Sequence, residues 1–171
     1  MEYDGISEFW KAAPKRLADA EELLEVPTKD SRRSDAAYRH LCGAQYLAGY
    51  AVGFMLKAYI IYHTNVRSAE HVQTWTTVLG VRGRRGDRPD LGGSRSHDLE
   101  LLLTATDLSD IMASYPDLKA AWGVCCKWRS YLRYNPRPVT DRGRTEEMVR
   151  ACRVVSDWVR SQLPVPQTEG S

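Results

Sequence analysis

Apolar residues recur along this chain at three- and four-residue steps, the period of helices buried on one side. Phe9, Trp10, Ala13, Leu17, Ala20, Leu23 and Leu24 form the first such stripe, and Pro14 inside it predicts a kink or a fresh start. Pro27 and the polar run TKDSRRSD make the first connection. A longer stripe through Ala37, Leu41, Ala44, Ala48, Val52, Met55, Leu56 and Tyr59 predicts a second helix from about Asp35 to His63. Gly43, Ala44, Ala48, Gly49, Ala51 and Gly53 make it unusually small inside. Each helical glycine costs close to about 1 kcal/mol against alanine, so a neighbouring helix backbone is expected to approach closely there.

Beyond this helix, residues 64–95 read as a long Arg- and Gly-rich connection containing VLGVRGRRGDRPDLGGSRS. Loops of that length are usually functional or disordered. Ser96 is expected to cap a short helix, HDLELLLTA, with Asp98 in its first turn. Tyr115-Pro116 reads as another helix entry, with proline at the first helical position. That helix would carry Leu118, Ala121, Trp122, Cys125, Trp128 and Leu132 and end at Asn135-Pro136-Arg137-Pro138. The last helix, about Asp141 to Leu163, has Met148, Cys152, Val155, Trp158 and Val159 on one face. No strand or internal repeat is evident. The expectation is an all-α, up-and-down bundle of four to five helices: one domain over 1–163, with 64–95 as a variable loop and 164–171 as a flexible tail.

The stretch LCGAQYLAGYAVGFMLKAYIIYH, residues 41–63, is long enough to cross a bilayer. Gln45, Lys57 and its four tyrosines argue against that reading. A lysine near the centre of a lone span costs about 2.5–3.5 kcal/mol. A buried helix of a soluble bundle is expected instead, with Lys57 reaching the surface at the helix edge and its stem covering apolar neighbours.

Composition alters this picture little. With 171 residues, 43% hydrophobic and 27% charged, the chain suits one globular domain, and a net charge of +2 does not by itself imply nucleic acid. Its distribution is polarised. The first thirty residues hold eight carboxylates against four basic side chains, and arginines crowd 82–95 and 127–144. Cys42, Cys125, Cys126 and Cys152 form no C-x-x-C pair, and MEYDGISEFW has no apolar signal core. A reduced, cytoplasmic protein is expected, without disulfides, zinc or membrane anchorage.

The candidate chemistry is thin. His97 beside Asp98 reads either as a general base or as a residue packing over its own helix start. His40 and His63 stand near opposite ends of the second helix, His71 lies in the connection, and no H-E-x-x-H spacing exists. No dinucleotide or phosphate-loop fingerprint appears, so no cofactor is expected. Arg84 and Arg85 in the long connection suit RNA or an acidic protein. The richest segment is WRSYLRYNPRP, residues 128–138. Arg129 and Arg133 stand four apart, hence on one helix face, with Tyr134, Asn135 and Arg137 following. Arginine interleaved with aromatics suits single-stranded nucleic acid. Equally, the aromatics complete the core while the arginines bridge to the acidic first helix.

In order, RLADAEELL, YLAGYAVGFMLKAYI, HDLELLL, W-x5-W, LRY-x-P and VSDWV resemble the HEPN family (higher eukaryotes and prokaryotes nucleotide-binding domains) over about residues 8–162. The resemblance implies a helical bundle, often a homodimer. It also implies pairing with a small nucleotidyltransferase or a defence-complex protein in toxin–antitoxin or defence settings. Many members are metal-independent ribonucleases, with four to six residues between an Arg and a following His on a late helix. Here no histidine follows His97. Arg33 and His40 have the spacing, six residues intervening, but at the start of the second helix. The expectation is a non-catalytic module that binds RNA, a nucleotide or a partner protein through Arg129, Arg133, Tyr134 and the 82–95 loop. The alternatives are a ribonuclease toxin with His97 or His40 as base, and a structural subunit docked through the small face of the second helix.

Overall fold

The structure is a computed structural model that describes residues 5–26, 35–64, 97–130 and 141–164. Among these, every regular element is helical: α1 (Gly5–Glu25), α2 (Asp35–Thr64), α3 (Leu99–Thr104), α4 (Leu108–Ala113), α5 (Pro116–Cys125) and α6 (Arg142–Ser161). The all-α bundle expected from periodicity is the observed architecture. α2 is its centre, packed against α1, α6 and α3, while α6 also packs on α5 and α1. The core runs through Leu17, Ala48, Val52, Met55, Leu56, Leu102, Leu108, Cys152 and Val155, all fully buried. No described helix is long and apolar enough to cross a membrane.

Several boundaries differ from the sequence expectation for local reasons. α1 passes through Pro14 without a fresh start. Asp98, rather than Ser96, is the N-cap of α3, its carboxylate accepting from the N–H groups of Glu100 and Leu101 at 3.1 and 3.2 Å. A short α4 fills the segment between the two expected helices, to which no element was assigned; Leu108 and Met112, four apart, bury its one apolar edge. Pro116 does open α5, after Tyr115.

The largest difference is at the end of α5. It stops at Cys125, ten residues short of the expected Asn135. Tight bonds from Lys127 N–H to the Val124 carbonyl and from Trp128 N–H to the Cys125 carbonyl close the turn. Trp128 then swings inward to 2% exposure. Its indole lies flat on Gly49 of α2, where a Cβ would stand 2.3 Å from three ring atoms. A Cβ on Gly43 would meet Leu23 at 3.1 Å, and one on Gly53 would meet Leu99 at 3.5 Å. At these glycines the small face of α2 therefore receives side chains, from α1, α3 and Trp128.

The acidic first helix is bridged by arginines of α6, while Arg133 and Arg137 lie outside the described residues. Arg153 holds Glu21 in a two-pronged pair at 2.6 and 2.7 Å, and Arg142 donates to the Leu24 carbonyl. Arg160 lies 3.7 Å from the Trp10 ring centroid. Between α2 and α6, the buried Gln45 amide donates to the Thr145 hydroxyl at 3.2 Å, and that hydroxyl donates to the Asp141 carbonyl at 2.8 Å. Asp141 caps α6 through the Arg144 N–H.

Candidate functional site

Opposite the core stripe of α2, a second line of large side chains runs through Tyr46, Tyr50, Phe54 and Lys57 at steps of four, four and three residues. That spacing keeps them on one face. All four are half-buried. Tyr46 and Tyr50 lie 4.6 Å apart by ring centroid, and Tyr50 meets Phe54 edge-on at 5.8 Å. Phe9 of α1 stacks on Phe54 at 5.3 Å, and Trp128 abuts Tyr50 edge-on at 5.4 Å. His97, just before α3, completes the group 4.8 Å from the Tyr50 ring, with its Nε2 3.4 Å from the Tyr50 hydroxyl. The result is an aromatic ledge, built by α1, α2 and the start of α3, with two basic side chains set into it.

Those two groups have unusual electrostatics. Lys57 is half-buried at the helix edge. Its amine sits 6.0 Å from the Phe9 ring centroid, and burial lowers its pKa to about 8. The ion pairs among the described residues are Arg16–Asp19, Arg142–Glu146, Arg144–Asp141 and Arg153–Glu21, so Lys57 has no carboxylate partner there. His97 is also pushed down, first by burial and then by the positive charge of Lys57. It is thus a neutral imidazole at pH 7, able to accept a proton or to hydrogen-bond in either tautomer.

Among the described residues singled out from sequence for their chemistry, His97 falls on this ledge. His40 sits ten residues before Tyr50 on α2, about 15 Å along the axis by helical rise. Arg129 is exposed but not helical; its guanidinium donates to the Cys126 and Trp128 carbonyls, the latter at 2.7 Å. It closes the turn after α5, and the shared helix face proposed for Arg129 and Arg133 does not exist at Arg129. Arg33, Arg84, Arg85, Arg133, Tyr134, Asn135 and Arg137 lie outside the described residues. Tyr46, Tyr50, Phe54 and Lys57 were not recognised as a site. The signal for them was present: four bulky residues in helical register on the side of α2 away from its core stripe.

At the far end of α2, Tyr59, Ile60, His63, Thr104, Ala105, Thr106 and Asp107 line an open groove of about 380 Å³. Its polar groups are engaged. The Tyr59 hydroxyl donates to Asp107 at 2.7 Å and is pushed above its ordinary pKa by burial and then by that carboxylate, while His63 stacks on Tyr59 at 4.1 Å. No cluster of three or more potential metal ligands occurs among the described residues. Among the described residues, the fold and the ledge define an all-α bundle with a basic aromatic face. Compared with protein-family models, curated proteins and solved structures, the chain matches none.

Proposed function

We propose that this chain is a HEPN-like helical module that binds single-stranded RNA or a nucleotide without cleaving it. The reading rests on the ledge: the partly buried rings of Tyr46, Tyr50 and Phe54 on one helix face with Lys57, and His97 beside them. Ring faces take bases and cations take phosphates, and stacking is worth about 1–3 kcal/mol per base. Among the described residues His97 contacts Tyr50 and no arginine, unlike the Arg–His pair of the family's ribonucleases, which favours binding over cleavage. The resemblance adds a homodimer, and a small nucleotidyltransferase or defence-complex protein as partner.

The test is fluorescence anisotropy with labelled oligouridylate. Tyr50→Ala combined with Phe54→Ala should weaken binding tenfold or more, with circular dichroism confirming a folded bundle. Equal binding by a folded double variant would exclude the ledge. A second reading, metal-independent ribonuclease, draws on the neutral His97 within reach of the Tyr50 hydroxyl. It requires RNA cleavage in EDTA that His97→Ala abolishes.

A further inference from the structure

The groove at the C-terminal end of α2 offers a binding chemistry of its own. The groups engaged there are engaged as donors. Tyr59 donates its hydroxyl proton to Asp107 Oδ1 at 2.7 Å, Thr104 to the Glu100 carbonyl at 2.7 Å, and Thr106 to the Leu103 carbonyl at 2.6 Å. What these side chains retain is lone pairs, on the Asp107 carboxylate and on the hydroxyl oxygens. Between them the walls are apolar, from Ile60, Ala105 and the stacked rings of Tyr59 and His63. The groove of about 380 Å³ thus has side-chain oxygens that can only accept. It also stands at the end of a thirty-residue helix, where the dipole favours positive charge. Such a site suits a cation that carries several donors.

The surface around the groove is acidic. Residues 98–118 carry Asp98, Glu100, Asp107, Asp110 and Asp117 with no lysine or arginine, and none of the five enters an ion pair among the described residues. Large apolar side chains stand exposed beside them. Tyr62 meets His63 edge-on at 5.0 Å, Ile111 follows Asp107 by one helical turn, and Tyr115 follows Ile111 by four residues. We infer that this end of the bundle is a docking surface for a basic segment of a partner protein, one arginine of which enters the groove. The guanidinium pairs with the Asp107 carboxylate, its stem lies along Ile60 and the His63 ring, and apolar neighbours in the segment cover Tyr62 and Ile111. Charge selects this occupant, because the carboxylates that attract arginine repel a phosphate backbone. The inference is independent of the ledge.

The experiment is fluorescence anisotropy with a fluorescein-labelled peptide of alternating leucine and arginine, and with the same peptide carrying citrulline, a neutral isostere, at each arginine. The arginine peptide should bind saturably, and the citrulline peptide at least tenfold more weakly. Asp107→Asn keeps an acceptor for the Tyr59 hydroxyl and should weaken the arginine peptide at least tenfold. Asp117→Asn, an equal change in net charge outside the groove, should weaken it less than twofold. Equal weakening by the two variants means diffuse attraction and overturns the docking site, as does equal binding of the two peptides. Where Asp107→Asn does not fold by circular dichroism, amide NMR of the wild type decides. The arginine peptide should then shift His63 and residues 104–107, and shifts confined to other residues overturn the site. N-acetyl-arginine amide or spermidine binding as tightly as the peptide overturns the partner protein as occupant and assigns a small cation instead.

Discussion

Replacing Lys57 by methionine should make the protein more stable at neutral pH. In the folded chain burial brings the Lys57 pKa from 10.5 to about 8. Each tenfold change in a proton equilibrium is about 1.4 kcal/mol, so holding this ammonium charged in the fold at pH 7 costs up to about 3 kcal/mol. Solvent reaching the half-buried amine reduces the figure, and about 1–3 kcal/mol is expected. Methionine keeps the unbranched apolar stem and removes the charge. With an m-value of about 2 kcal/mol/M in urea, the unfolding midpoint should rise by about 0.5–1.5 M at pH 7. The direction with pH follows from the same linkage. Above pH 8 the folded chain releases the Lys57 proton while the unfolded chain keeps it to about 10.5, so wild-type stability rises across that window. Lys57→Met lacks this rise, and the two proteins should converge near pH 10. A variant no more stable at pH 7, together with a flat wild-type profile between pH 8 and 10, would refute the buried-ammonium account.

Gly49→Ala sets two known effects against each other. Helix propensity favours alanine by about 1 kcal/mol, but its Cβ would overlap the Trp128 ring at 2.3 Å. Overpacking costs about 1–3 kcal/mol or more, so urea unfolding should show net destabilisation, with a change in tryptophan emission. Asp98→Ala removes the α3 cap and should cost about 1 kcal/mol by the same assay. For Tyr59 the pH dependence is opposite to that of Lys57. Its hydroxyl stays protonated in the fold, so its share of stability is lost as pH rises past 10, and ultraviolet titration should find one tyrosine ionising only on unfolding. Arg153→Gln breaks a pair about 40% exposed, so the loss should be under about 1 kcal/mol and should shrink in high salt.

The helices with one long apolar stripe, α1, α2 and α6, were legible within a few residues, because burying such a stripe dictates both element and face. Short elements were not. α4 spans six residues and repeats its apolar edge only once, at Leu108 and Met112, too little to register as a period. The end of α5 was hidden because Trp128 fits the helical stripe of Leu118 and Cys125, yet reaches the core only when the helix stops and the chain turns. The candidate site was missed for a related reason. Tyr46, Tyr50 and Phe54 are apolar enough to be taken as core when read one at a time. Only the positions of Phe9, His97 and Trp128, contributed from three other parts of the chain, show that they form a surface.

The contact between Gln45 and Thr145 has a consequence beyond its own strength. α2 and α6 meet through small and aliphatic side chains, and such faces resist sliding poorly, since a shift of one turn exchanges one set of methyl groups for another. An amide and a hydroxyl permit no such exchange. Displacing α6 by about 5.4 Å, one helical turn, would break the Gln45–Thr145 bond, at about 0.5–1.5 kcal/mol. The pair therefore works as an index mark between two otherwise smooth rods. It fixes where α6 stands along α2, and with it where Arg153 finds Glu21 and Arg160 finds Trp10.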